Sequence, residues 1–241
     1  MTQPTLYTEA EIGRPGQVVE LAEGEQSHVR ALRLSPGDRV RVTDGRGALW
    51  AGALDEDGRV RLDGPEEAAP PIPVELAFGV ASRDRTLWLV EKAVELGALG
   101  LQPVEMARSR SVADAGRSEA FWQKARRRAI SALKQCGGGR LPEIRPACEL
   151  HAYLAHAGGA GGPKVLLDRE AGATLRQRLE GWSGDPPARI LLGPEGGLRD
   201  DEREEAREAG FRPAGLGRRV LRLETAATAA LAVAGQQLES E

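Results

Sequence analysis

The sequence feature that most constrains the fold is a change of pattern at a proline-rich segment, residues 66–73 (EEAAPPIP). Before this segment, short β-rich runs are separated by turn sequences, and Asp57-Gly58 between two alternating runs is typical of a hairpin. After it, runs typical of strands alternate with runs typical of helices, which favours a layered α/β domain. The sequence therefore predicts a small N-terminal β-barrel over residues 1–70 and an α/β domain over residues 74–241.

The predicted elements follow from hydrophobic periodicity and from turn residues. In the N-terminal part, the predicted strands are 18–21, 39–43, 48–54 and 59–62, with one short helix over 25–34. In the C-terminal part, the predicted strands are 74–81, 101–104, 164–168, 189–193 and 213–217, and the predicted helices are 84–98, 118–135, 172–181, 199–209 and 225–238. The glycine-rich stretch 156–163 lacks the Gly-Lys-Ser/Thr of a phosphate-binding loop, so we predict a connector.

The composition excludes several classes of protein. Hydrophobic residues make up 41% and charged residues 29% of the chain, which is ordinary for a globular protein. The longest run of small apolar residues, 226–234, is too short for the ~20 residues of a membrane-spanning helix, and the first residues resemble no secretory signal. Cys136 and Cys148 form no CxxC pair and the histidines are scattered, so no metal site is predicted. We expect a cytoplasmic protein with reduced thiols and no membrane partner.

The charge is distributed unevenly along the chain. The formal net charge is −3, yet residues 106–146 carry ten basic and only three acidic residues. A basic block within an acidic protein can bind phosphates, because a polyanion responds to the local field. The same block could also be a solvated helix face, and the sequence leaves both interpretations open.

Two glycine-containing motifs lie at the ends of predicted strands. The first is Gly193-Pro194-Glu195-Gly196-Gly197, and the second begins at Leu216-Gly217 and runs into the last predicted helix. Glycine at the end of a strand lets backbone approach a ligand closely, and the carboxyl edge of an open α/β sheet is where ligands bind. Alone, the first motif could be a tight connection between strand and helix. Together, the two motifs predict a ligand site at this edge.

The strings LLGPEGG and LGRRVLRLETAATAAL closely resemble the 16S ribosomal RNA uridine-N3 methyltransferases of the SPOUT, or trefoil-knot, superfamily. Further segments that carry the resemblance are residues 28–33 with Pro36-Gly37-Asp38, the helix over 91–97, and residues 135–144. The resemblance extends from about residue 25 to 238, with the segments in order and at sensible spacings.

The resemblance implies a fold, a cofactor and an assembly. The fold would be a C-terminal SPOUT α/β domain with a deep trefoil knot, preceded by a small PUA-like β-barrel that helps to hold RNA. S-adenosyl-L-methionine would bind in a bent conformation, and the protein would form a homodimer, with residues 226–238 as an interface element. The residues implied to form the cofactor pocket, mostly through backbone groups, are Leu192, Gly193, Pro194, Gly196, Gly197, Leu216, Gly217, Val220, Leu221 and Thr225.

The implied reaction is methylation of uridine N3 in the 16S rRNA of the 30S subunit. As the N3 proton leaves, charge grows on the uracil carbonyls, and a fixed guanidinium would stabilise it. We predict Arg222 in that role and Glu195 or Glu224 as proton acceptor or as the group that orients the base. Arg222 could instead form a structural ion pair, and Glu224 could instead complement the dipole at a helix N-terminus.

The RNA-binding residues are predicted from the basic block and the barrel. They are Arg30, Arg33, Arg108, Arg110, Arg126, Arg127, Arg128 and Arg140. The sequence departs from the family pattern at Lys134, where Glu is usual, and at Gly138, where Arg is usual. Asp200 is expected to cap the helix that follows Gly197, where Ser is common.

Two other functions remain open. One is a SPOUT methyltransferase that acts on another RNA atom, such as a ribose 2′-OH or a transfer RNA base. The other is a PUA-type RNA-binding or assembly protein that has lost catalysis. The glycines at positions 193, 196, 197 and 217 weigh against the second, because a pocket that binds nothing would not need them.

Overall fold

The computed structural model describes residues 3–109 and 119–239. The described residues divide into two compact units. The first contains the chain up to Pro70 together with Ala129–Leu141, and the second contains Pro71–Arg128 and the chain from Pro142 onward. The first unit thus includes a segment from the middle of the chain, which no pattern in the sequence indicates.

The first unit is built on one five-stranded sheet. Its order is β1-β3-β4-β5-β2, in which β1 and β3 are parallel and the other pairs are antiparallel. The elements are β1 (Thr5–Tyr7), β2 (Val18–Val19), helix α1 (Glu25–Ala31), β3 (Arg39–Thr43), β4 (Leu49–Leu54) and β5 (Val60–Pro65).

The sheet curls towards closure around an apolar core. Val40, Val42 and Leu62 are buried, and Val60 and Leu62 alternate with exposed residues along β5. The segment after β2 meets the end of β1, where the Ala22 amide donates to the Tyr7 carbonyl (3.0 Å). This joining of the two edges fits the predicted small barrel.

The segment Ala129–Leu141 belongs to the first unit through backbone and charge contacts. The Leu141 amide donates to the Gly45 carbonyl at 2.9 Å. Lys134 Nζ lies 2.5 Å from the Glu25 carboxylate, which also accepts from the Tyr7 amide at 3.2 Å. Lys134, one of the two departures from the family pattern, therefore pairs with an acidic residue of α1.

Lys134→Met is expected to lower the free energy of unfolding by about 3 kcal/mol, because it leaves a buried carboxylate without its partner. The Glu25 side chain is only 8% exposed. Urea titration measures the loss. Lys92→Met is the control, since Lys92 pairs with Glu91 and Glu95 near the surface, where such pairs contribute under about 1 kcal/mol. Equal losses in the two variants would contradict the expectation.

The second unit is an α/β domain in which all paired strands are parallel. The strand order is β12-β10-β11-β6-β7-β8, and β9 also pairs with β7. Its strands are β6 (Ile72–Gly79), β7 (Ala98–Glu105), β8 (Glu143–Ile144), β9 (Cys148–Glu149), β10 (Lys164–Leu167), β11 (Ala188–Leu192) and β12 (Arg212–Ala214). The helices are α2 (Arg83–Glu95), α3 (Glu119–Cys136, of which the residues from Ala129 onward belong to the first unit), α4 (Leu150–Gly158), α5 (Leu175–Arg178), α6 (Asp200–Glu208) and α7 (Leu223–Glu239).

The helices cover the sheet because parallel strands need crossover connections. Helix α2 packs against α7, and α4 packs against α6. Leu76 in β6, Leu166 in β10 and Ile190 in β11 are fully buried, as the continuous apolar runs of these strands predict. The predicted α/β class is confirmed.

Some local predictions differ from the structure. The predicted helix over 172–181 shortens to Leu175–Arg178, and β1, β8, β9 and α4 were not predicted. Two- and three-residue strands are too short to show a period. The expected cap at Asp200 is wrong: Asp200 is the first residue of α6, and its N-cap is Arg199, whose amide donates to Glu202 Oε2 at 2.7 Å. The buried Glu202 carboxylate thus satisfies the amide of the N-cap residue, and the Glu202 amide donates to Asp201 Oδ1 at 3.0 Å in place of a capping side chain.

Within the part of the chain that the structure describes, no helix is long and apolar enough to cross a membrane. Over the same residues, no group of three or more His, Cys, Asp or Glu side chains is placed to hold a metal ion. Both cysteines are free thiols.

Candidate functional site

A pocket of about 540 Å³ lies at the carboxyl ends of three neighbouring parallel strands, β10, β11 and β12. The carboxyl edge of an open α/β sheet is the usual ligand site, and this volume suits a small organic molecule. The lining residues belong to the last residues of these strands, to the segments that follow them, and to α2, α6 and the start of α7. They are Arg85, Leu166, Leu167, Asp168, Arg169, Glu170, Leu192, Gly193, Pro194, Glu195, Gly196, Gly197, Leu198, Arg203, Ala214, Leu216, Gly217, Arg219, Val220, Leu221, Arg222, Leu223 and Ala226.

The first glycine motif forms a closely packed turn after β11. The Gly197 amide donates to the Pro194 carbonyl at 2.8 Å, and Gly197 has a φ of +69°, a conformation that favours glycine. A Cβ added at Gly79, the last residue of β6, would lie 2.6 Å from the Pro194 nitrogen. Strand β6 therefore packs directly against the turn that follows β11, at a distance that only glycine at position 79 allows.

The structure brings nine of the ten predicted cofactor residues to this pocket. Thr225 is the exception, because it is exposed in the first turn of α7 and does not line the pocket. The nine lining residues are Leu192, Gly193, Pro194, Gly196, Gly197, Leu216, Gly217, Val220 and Leu221.

The three predicted catalytic residues differ in their surroundings. Arg222 lines the pocket and is exposed, and its side chain forms no hydrogen bond or ion pair with any residue that the structure describes. Among the described residues, therefore, no carboxylate forms the structural ion pair that is the alternative role of Arg222. Glu195 also lines the pocket and is ion-paired with Arg85. Glu224 lies in the first turn of α7, as its alternative role requires, yet its side chain is only 13% exposed.

Charged residues that the sequence analysis missed also line the pocket. Arg85 comes from the first turn of α2, which follows β6. Asp168 follows β10 and is ion-paired with Arg203 of α6. Their position at the carboxyl ends of strands beside β11 could have indicated them, but only once the strand order is known.

The predicted RNA-binding residues of the second unit fall into two groups. Arg126, Arg127 and Arg128 are exposed on α3, and Arg128 Nη1 lies 3.2 Å from the Glu91 carboxylate. Arg108 instead donates to the Gly196 carbonyl at 2.9 Å, so it supports the glycine turn. Arg110 lies outside the described residues.

In the first unit, three predicted RNA-binding residues are exposed. Arg30 donates to the Ser27 hydroxyl at 3.1 Å. Arg33 adopts a φ of +56°, and Arg140 donates to the Arg46 carbonyl at 3.3 Å. None of the three is held by a carboxylate among the described residues, which leaves their charges available to an anion.

The fold and the pocket define a class of enzyme, and comparison with known proteins identifies it. A family model described as an RNA methyltransferase domain matches residues 68–235, and one described as an RNA methyltransferase PUA domain matches residues 21–59. The chain therefore belongs to this RNA methyltransferase family. The predicted family is confirmed.

The relatives share one name. The chain is 32% identical to the Ribosomal RNA small subunit methyltransferase E of Synechocystis sp., over 88% of this chain and 70% of the relative. It is 25% identical to the protein of the same name from Bacillus subtilis, over 90% of this chain and 89% of the relative.

A solved structure has the same fold over nearly the whole chain. It is a Ribosomal RNA small subunit methyltransferase E from Neisseria gonorrhoeae bound to S-adenosyl methionine, with a TM-score of 0.82, 26% identity, and 96% of each chain covered. The predicted fold class is confirmed as an α/β RNA methyltransferase domain preceded by a small PUA-like domain. The trefoil knot stays a prediction.

Proposed function

We propose that this protein uses S-adenosyl-L-methionine to methylate N3 of a uridine in 16S rRNA. The observation that carries the proposal is the pocket itself, because both predicted glycine motifs meet there, after β11 and β12, the two strands that flank β10. Arg222, which has no hydrogen-bond or ion-pair partner among the described residues, also lines this pocket. The names of the relatives and the S-adenosyl methionine bound to the Neisseria structure support the same reaction.

The pocket suits S-adenosyl-L-methionine chemically. Backbone groups of the two glycine motifs can hydrogen-bond a purine or an amino-acid moiety, while leucine side chains such as Leu192 and Leu221 offer apolar contact. A Cβ added at Gly196 would lie 3.1 Å from the Arg108 Cβ, so a side chain here would crowd the arginine that supports the turn. When bound, the cofactor supplies an electrophilic methyl group.

The chain's own residues would hold the uridine and stabilise its charge. The Arg222 guanidinium has no partner within the described part of the chain, and it can donate two hydrogen bonds to a uracil carbonyl oxygen as N3 loses its proton. Glu195 or Glu224 would accept that proton or orient the base. Fixed placement of the two reactants supplies further acceleration.

The substrate is proposed to be 16S rRNA in the 30S subunit, in the cytoplasm. Transfer of tritium from labelled S-adenosylmethionine to 30S subunits, followed by mapping of the modified nucleotide, tests this proposal. Label at uridine N3 is the expected result. Label on a ribose 2′-OH or on transfer RNA would show that the proposed substrate atom is wrong. RNA binding without any transfer would indicate a non-catalytic protein.

The basic face of α3 is proposed to bind RNA. Replacement of Arg126, Arg127 and Arg128 by alanine is expected to weaken binding and to flatten its salt dependence by about 0.9 per lost phosphate contact. Filter binding of 16S rRNA over a range of salt concentrations measures the slope. The control is Arg207→Ala, an exposed arginine of α6 that pairs with Glu204. An unchanged slope in the triple variant would mean that this face is only solvated.

The active unit is proposed to be a homodimer that uses the partly exposed face of α7. Ala230 and Ala234 are buried within the chain itself, whereas Ala229 is only half-buried. Ala229→Arg is therefore expected to yield monomers by light scattering, since an unpaired charge in an interface is costly. Ala155→Arg, at an exposed alanine of α4, is the control. A fully active Ala229→Arg monomer would contradict the proposal.

A further inference from the structure

We infer that Arg85 is a positioning residue that ties the two glycine motifs of the pocket together through their carboxylates, Glu195 and Glu224. This inference rests on the proposed function, since the pocket it concerns is the proposed cofactor site. It adds a third element, helix α2, to the two motifs that the sequence identifies.

The geometry places one guanidinium between two carboxylates. Arg85 Nη1 is ion-paired with Glu195 Oε1, in the turn that follows β11. Arg85 Nε lies 3.9 Å from Glu224 Oε1, in the first turn of α7. The two carboxylates thus belong to opposite motifs, and the same side chain reaches both.

The three side chains differ in exposure in a way that suits this role. Glu195 is 46% exposed, Arg85 is 31% exposed and Glu224 is 13% exposed. A carboxylate as buried as Glu224 needs a nearby positive charge, and Arg85 supplies one. Glu224 Oε2 is buried with no hydrogen-bond partner among the described residues, so Arg85 is the group that compensates this carboxylate.

The places of Glu195 and Glu224 in the two motifs explain how Arg85 acts on the pocket. Leu223 and Ala226, on either side of Glu224, line the pocket, as does Arg222 two residues earlier. A fixed Glu224 therefore fixes the start of α7 and, with it, the backbone that carries Arg222. On the other side, a fixed Glu195 holds the turn between Pro194 and Gly197.

An arginine serves this role better than a lysine. The guanidinium presents donors along two edges and stays charged, so it can serve two carboxylates at once. Arg85→Met should remove both contacts while keeping a side chain of similar length. Arg85→Lys should keep the charge but lose one of the two contacts.

The test is calorimetric binding of S-adenosylhomocysteine, which needs no RNA and no turnover. The parent protein is measured first, and failure of the parent to bind would refute the proposed cofactor site rather than the role of Arg85. Given binding by the parent, Arg85→Met is expected to weaken affinity by about 10-fold, the usual effect of losing a charged hydrogen bond. The affinity of Arg85→Lys for S-adenosylhomocysteine should lie between those of the parent and of Arg85→Met. Arg83→Met is the control, because Arg83 is exposed in the same helical turn and does not line the pocket.

A mutant cycle separates a positioning role from a merely structural one. Glu195→Gln and Glu224→Gln are predicted to be non-additive in affinity when Arg85 is present, because both act through it. In the Arg85→Met background, the same two substitutions should become additive. Additivity in both backgrounds would overturn the inference, and so would an Arg85→Met variant that binds as tightly as the parent. Loss of binding in Arg85→Met with no effect of Glu195→Gln or Glu224→Gln would mean that Arg85 contacts the cofactor directly, which would also overturn it.

Discussion

Replacement of Arg222 by lysine is expected to slow methyl transfer about 100-fold, the usual effect of losing one donor to a developing oxyanion. The variant keeps the positive charge but loses the two-pronged geometry that a uracil carbonyl would meet. Arg222 lines the pocket and has no hydrogen-bond partner or ion-pair partner among the described residues, so the substitution breaks no hydrogen bond or ion pair among them. Cofactor affinity should change little, because backbone groups form most of that site.

The measurement is single-turnover transfer to 30S subunits at saturating S-adenosylmethionine. Arg218→Lys is a matched control, since Arg218 is exposed four residues earlier and does not line the pocket. A parent-like rate in Arg222→Lys would remove Arg222 from the chemistry. The catalytic role would then pass to Glu195 or Glu224, as proton acceptor or as the group that orients the base.

The second large effect is expected at Gly217. Gly217 lines the pocket with a φ of +136°, and a Cβ added there would meet nothing within 4 Å. The Cβ of Gly217→Val therefore meets open space, but the substitution imposes a strained backbone, at a cost of about 1–3 kcal/mol. Because the loop is exposed, it is expected to relieve this strain by moving, which displaces the backbone that would contact the cofactor. We expect calorimetry to detect no binding of S-adenosylmethionine while the chain stays folded.

Gly181→Val distinguishes a local effect on the site from a general effect of strain. Gly181 has a φ of +73°, is equally free of neighbours within 4 Å, and does not line the pocket. Both variants should lose similar stability in urea, and only Gly217→Val should lose binding. Parent-like affinity in Gly217→Val would refute the assignment of the second motif to the cofactor site.

The pocket residues that could be predicted are those whose position depends on their immediate neighbours in the sequence. Gly193, Gly197 and Gly217 stand where the chain leaves a buried strand and turns, and both the strand pattern and the glycines are visible in a few consecutive residues. Nine of ten predicted pocket residues therefore line the pocket. Thr225 does not, because helical geometry directs Leu223 and Ala226 to one face and turns Thr225 to another.

The features of the site that could not be predicted are ion pairs between residues far apart in the chain. Arg85 and Glu195 are separated by 110 positions, and Asp168 and Arg203 by 35. Whether such residues meet depends on the order β12-β10-β11-β6, which no local pattern contains. The pairing of Lys134 with Glu25 is of the same kind, since it depends on the end of α3 belonging to the first unit.

The sequence by itself determined the α/β class, the two glycine motifs and the family, because periodicity, backbone freedom and characteristic strings are properties of short segments. The tertiary structure alone decided which charges surround the pocket. It paired Arg85 with Glu195, placed Arg108 against the Gly196 carbonyl, and left Arg222 without a hydrogen-bond or ion-pair partner among the described residues. The RNA contact of Arg108 stays a prediction. The physical reason is that an ion pair requires a separation of a few ångströms, and that separation is set by strand order and by the direction of each side chain.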